Sequence, residues 1–271
     1  MLRFLILFGY FQLGIYLYLS GKLDQYINLK YSYLTYISMV ISLILAIVQL
    51  IVWVKKMKTH SHLTKWSDKV ESYGLLIIPL IVGTLFPTVT LDANTVSAKG
   101  YSFPLAVEND PATQEQEGTT TQYLRPDTSS FFTKSAYTEE MQKALDKYVS
   151  QDHIEVTREN YMEVMEIIYD YPDQFVGKTI TFTGFAYQDP DNASNLFLFR
   201  FGIIHCIADS GVFGLLLTNV PKQYDNDTWL SATGKITITY HQKLNQSLPT
   251  VEIETLTPIE KPDNQYVYRV F

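Results

Sequence analysis

The chain has 271 residues, 21 Lys and Arg against 28 Asp and Glu, a net charge of −7 and a mean hydropathy of −0.01. Such averages describe one or two ordinary soluble domains, but the charge is unevenly placed: residues 1–91 carry eight basic and three acidic side chains, so they are +5 and residues 92–271 are −12. An acidic domain repels phosphate backbones, which excludes nucleic-acid binding, and a single cysteine excludes an intrachain disulfide framework or a Cys-rich zinc site.

Three apolar stretches come first. Residues 2–20 carry only Arg3, and residues 34–54 and 73–91 carry no charge. About 20 apolar residues at ~1.5 Å each cross a hydrocarbon core of ~30 Å, so all three are expected to span a membrane. The first lacks the small-residue cleavage site of a signal peptide before Gly21. Pro79 and Pro87 kink the third, which membrane helices tolerate when neighbours satisfy the freed carbonyls. The loop 55–72 holds five lysines, against Lys22, Lys30 and Asp24 in the loop 21–33. By the positive-inside rule the N-terminus and the second loop are cytoplasmic, and everything after Leu91 is extracellular.

The segment 92–135 reads as a stalk and flexible linker, most polar at 108–121 (ENDPATQEQEGTTT). Helices are expected over 137–149 and, capped by Thr157, through Tyr161, Val164, Met165 and Ile168 until Pro172. The second is expected to pack one amphipathic face on the strands C-terminal to it. From Phe175 the period changes to two. Strands are expected at 178–187, 196–207 (buried on both faces), 212–217, 229–240 with a bulge at Gly234, and 250–256. Five short glycine-kinked strands fit a small OB-like β-barrel, with a small sandwich as the alternative. The fold class is thus an α+β membrane protein, with domains at 1–91, 92–135 and 136–271.

His205, Cys206 and Asp209 are the most chemical spot and the candidate metal ligands, with His241 as a further donor. Neighbours on a strand point to opposite faces, so His205 and Cys206 do not meet if the strand runs through them. The bland reading of Cys206 is a small buried hydrophobe. His60 and His62 lie among lysines that repel a dication. Arg125 and Asp127, in Tyr-Leu-Arg-Pro-Asp, form a candidate recognition element for a ligand carboxylate or the entry to the domain. Arg200, between Phe199 and Phe201, must snorkel or find a carboxylate, and near His205 it would form a ligand site. Gln12 and Gln49 lie inside spans and need interhelical partners. No phosphate loop, nucleophile elbow or metalloprotease motif is present, so no enzyme is expected.

The segments YPDQFVGKTITFTGFAY, LFLFRFGIIHCIADSGVFGLLL, DTWLSATGKI and LPTVEIETLTPIEKPDNQYVY, with TQYLRPDTSSFF at 121–132 and the apolar first third, resemble the YcgQ-type family of Firmicute membrane proteins. The resemblance covers essentially the whole chain. It implies an accessory subunit of a permease complex, with a multi-spanning YcgR-like permease as partner, and no established reaction. It also implies a link to divalent-metal homeostasis, with zinc as the ion. The His-rich cytoplasmic loop of several relatives is reduced here to His60 and His62. On this reading the outer domain gates the permease or binds its solute. The alternative is a stand-alone envelope protein that binds a glycan, a lipid head group or a peptide through the barrel.

Overall fold

Long apolar runs without a polar face make helices that no aqueous core needs to bury. In the computed structural model, which describes residues 1–57, 65–86, 90–99, 101, 134–190, 192–242 and 244–270, α1 (Leu2–Leu19), α2 (Ser32–Val54) and α3 (Trp66–Leu85) form a first compact unit, Met1–Thr90. The sheet domain lies in a second unit, Leu91–Phe271.

Close approach in the first unit depends on glycine. A Cβ on Gly14 would stand 2.6 Å from Met39 of α2, and one on Gly9 3.0 Å from Leu80 of α3. α1 therefore packs on both other helices. Tyr18 meets Tyr36 edge-on at 5.5 Å, so α2 runs antiparallel to α1. Arg3 Nε donates to Tyr73 Oη at 3.0 Å and Gly83 lies against Leu13, so α3 runs parallel to α1. Pro79 denies Leu75 its helical N–H partner, and Tyr10 Oη donates to the adjacent Leu76 carbonyl at 2.9 Å.

Among the described residues, the helical segments Leu2–Leu19 and Leu29–Val54 are long and apolar enough to cross a membrane. The third expected span differs: α3 begins at Trp66 rather than 73 and ends at Leu85 rather than 91, and its first two turns carry Asp68, Lys69 and Glu71. Pro87 and the linker 108–121 lie outside the described residues.

Part of the expected stalk belongs to the second unit. In α4 (Ala93–Lys99), Asp92 caps the start by accepting from Thr95 N–H at 3.1 Å. Ala93 N–H donates to Asp227 at 2.8 Å, Leu91 N–H to Tyr266 Oη at 3.0 Å, and Val96 is fully buried. Next come α5 (Lys134–Tyr148), β1 (His153–Glu155) and α6 (Tyr161–Asp170). Thr157 does not cap α6. Asn160 occupies that position, and its side chain bonds Thr157 N–H and the Glu155 carbonyl instead. Eight of the ten α6 residues are buried, so the helix packs all round rather than on one face.

The strands are β2 (Thr179–Gln188), β3 (Leu196–Ile203), β4 (Gly211–Thr218), β5 (Trp229–His241), β6 (Gln246–Pro258) and β7 (Val267–Tyr268). Every residue of β3 is buried, as its unbroken apolar run predicts. The bulge falls at Thr233/Gly234. β1 and β7, three and two residues long, are not marked by the sequence pattern; each adds a parallel pairing, to β2 and β3 respectively.

The remaining pairings return to their start. β2 pairs β3 and β3 pairs β4, both antiparallel; β4 pairs β6 in parallel; β6 pairs β5 and β5 pairs β2, both antiparallel. Following partners from Gln188 leads through Leu196, Leu217, Val251 and Ile236. Ile236 N–H donates to the Lys178 carbonyl at 2.9 Å, ten residues before Gln188 along the same segment. A register that slips steadily by this much around a ring is the stagger that tilted strands need. Gly214, at φ 157°, permits the closest approach: a Cβ there would overlap the Leu198 carbonyl oxygen.

Candidate functional site

β3 ends at Ile203, four residues earlier than its apolar pattern implies, and residues 205–209 form a turn into β4. The expectation that His205 and Cys206 lie on opposite faces of a strand therefore lapses. Asp209 organises the turn. Its carboxylate accepts from His205 N–H at 3.0 and 3.1 Å, from Cys206 N–H at 3.0 Å and from His205 Nδ1 at 2.8 Å. With Nδ1–H held by the carboxylate, a neutral imidazole carries its lone pair on Nε2, and the His205 side chain is 44% exposed. Cys206 is a free, half-buried thiol.

The structure thus brings His205, Cys206 and Asp209 together through backbone amides. Among the described residues no group of three or more His, Cys, Asp and Glu is arranged to hold a metal ion. Asp209 spends its oxygens on the turn itself, which explains why that spacing yields a cap rather than a coordination site.

His241 is not available to this turn. It lies beside Phe197, with ring centroids 5.9 Å apart, at the start of β3, whereas His205 follows the end of that strand. Six strand residues at ~3.3 Å put Phe197 about 20 Å from the end of β3 where the turn begins. Leu244 N–H donates to His241 Nδ1 at 3.3 Å, so Nε2 carries the proton and donates to Asp189 at 3.2 Å. Both side chains are buried, at 5% and 0% exposure. This pair is the main polar feature that sequence reasoning misses: fifty-two residues separate its members, and no local motif marks it.

Arg200 is 5% exposed, and among the described residues it forms no ion pair with a carboxylate. Its Nη2 donates to the Asn264 carbonyl at 3.1 Å and its Nε to the Gln265 carbonyl at 3.4 Å. Its guanidinium lies 5.3 Å from the Trp229 ring and 5.6 Å from that of Tyr161. Burial holds its pKa below the usual guanidinium value and pushes the Tyr161 hydroxyl up. These contacts clamp the C-terminal segment onto β3, and none of them reaches His205. Arg200 is thus an internal tie rather than half of a ligand site. Arg125, Asp127, His60 and His62 lie outside the described residues.

Known proteins resemble the chain along its whole length. The first part matches the DUF1980 N-terminal domain over residues 2–102, and the second the DUF1980 C-terminal domain over residues 131–269. The UPF0703 protein YcgQ of Bacillus subtilis is 37% identical over 292 aligned positions that cover all of both chains. The chain belongs to the YcgQ-like DUF1980 family. A Streptococcus mutans relative, 55% identical over 271 residues and all of both chains, is named "Putative two-component membrane permease complex subunit". Both units of the fold lie within this family likeness, and the two family domains divide the chain on either side of the segment 103–130.

Proposed function

We propose that the protein is a non-enzymatic accessory subunit of a two-component membrane permease complex. The observation that carries this reading is full-length similarity, 55% over the whole of both chains, to a relative named as such a subunit. α1 and α2 cross the bilayer, and α3 crosses beside them. In support of the third crossing, α3 runs parallel to α1, with Tyr73 level with Arg3 and Gly83 level with Leu13. Trp53 and Trp66, 52% and 80% exposed, flank the lysine-rich loop, where indoles favour the headgroup layer. The N-terminus and that loop are cytoplasmic, and the −12 portion is outside.

The outer domain is a closed five-stranded barrel of the OB type. The ring of pairings and its ten-residue slip support this reading, because a steady stagger is what closes tilted strands into a barrel. Covering the permease's outer mouth is the role we assign to it. Holding zinc itself is the weaker role, since both Asp209 oxygens already accept hydrogen bonds within its turn. The partner is a multi-spanning, YcgR-like permease.

Purification of the full chain from native membranes tests the reading. A multi-spanning membrane protein should co-purify in stoichiometric amount and be lost when α1–α3 are exchanged for an unrelated anchor. Recovery of the chain alone, with full function retained, would favour a stand-alone envelope protein.

A further inference from the structure

Among the described residues α1 packs on α2 and α3 and leaves a stripe uncovered: Leu5, Gln12, Tyr16 and Leu19 are exposed, at the seven-, four- and three-residue steps of a single helix face. Gln12 stands near the middle of the 18-residue helix, about 10 Å from its outer end at ~1.5 Å per residue. Its side chain makes no hydrogen bond to any described residue. A primary amide in hydrocarbon loses the hydrogen bonds it makes in water, and from this depth its short side chain cannot reach the headgroups.

α2 differs: its amide, Gln49, is half-buried and lies five residues from the end of the helix. Its uncovered middle is Ile37, Val40, Ile41, Ile44, Leu45, Ile47 and Val48, for which lipid is a sufficient solvent. The exposed polar residue there, Ser38, can bond back to its own helix's i−4 carbonyl; the Gln12 amide has two donors and an acceptor to satisfy, more than a single back-bond can serve.

We infer that the Leu5–Gln12–Tyr16–Leu19 face of α1 docks on a transmembrane helix of the second membrane component, one that presents an amide, hydroxyl or carboxyl side chain at mid-bilayer. The inference rests on the accessory-subunit reading and adds to it the contact surface and the chemistry of its partner. Polar pairing suits this task because apolar helix faces gain little from each other in lipid, whereas an interhelical amide bond fixes both depth and rotation.

The test uses the full chain in its native membrane. A photo-reactive side chain is placed at position 12 or 16, and at position 44 of α2 as control. Positions 12 and 16 should give an adduct with a multi-spanning protein, and position 44 should give none. Gln12→Leu should lower recovery of that protein about three- to fifteenfold, the range expected for one interhelical hydrogen bond, and Gln12→Asn should restore part of it. Adducts only to a second copy of this chain or to lipid, with the complex still intact, would overturn the inference and leave the accessory-subunit reading standing. Failure of any membrane protein to co-purify would remove both.

Discussion

The two units meet the hydrophobic effect with opposite solutions. In α1 and α2, forty-one mostly apolar residues, Ile6 and Ala46 alone are buried. In β3 and β4 fifteen of sixteen residues are buried, and α6 is buried nearly all round. The apolar character is similar; what surrounds it differs. In the second unit water drives burial, so packing and polar satisfaction set stability. In the first unit the apolar faces need lipid or another helix, and glycines at 9, 14 and 83 set the approach of its three helices.

Substitutions that separate these two regimes sharpen the comparison. The largest effect should come from Gly214→Ala, because the new Cβ runs into the Leu198 carbonyl in a left-handed backbone region. A loss of about 4 kcal/mol or more is expected, read as loss of the folded second unit in limited proteolysis of the full chain. His241→Ala removes the Nε2–H donor from the buried Asp189 carboxylate and should cost about 3 kcal/mol by denaturant unfolding in detergent, with Asp189→Asn in the same background recovering part of it. Asp209→Ala removes the acceptor of two backbone N–H groups and of His205 Nδ1 at a half-exposed turn, and about 1–2 kcal/mol is expected. Ile44→Ala, on the exposed side of α2, should shift unfolding by less than about 0.5 kcal/mol. A large cost at Ile44 or none at His241 would break the contrast.

Much of this is legible from periodicity. The apolar runs locate α1 and α2, and alternation or short apolar runs between turns after Phe175 locate β2 to β6, because these signals are local. The ends fail where one residue changes the balance. His205–Asp209 escapes from β3 because a carboxylate four residues on offers its amides a better partner than the sheet. The docking of α4 is invisible in the local pattern, which reads as stalk, because its anchors, Asp227 and Tyr266, lie more than a hundred residues away. The polar ties are the least legible: Arg200 is held by backbone carbonyls of 264 and 265, which no residue type advertises, and His241 by an aspartate on a distant strand end.

The central claim is that a positively charged membrane anchor carries an acidic working domain on the outside of the cell. Labelling with a membrane-impermeant maleimide tests it most directly, using Glu260→Cys on the exposed outer unit and Lys56→Cys at the end of α2, each in a Cys206→Ala background. Glu260→Cys should label in intact cells and Lys56→Cys only after permeabilisation. The reverse pattern, or equal labelling of both in intact cells, would contradict the account.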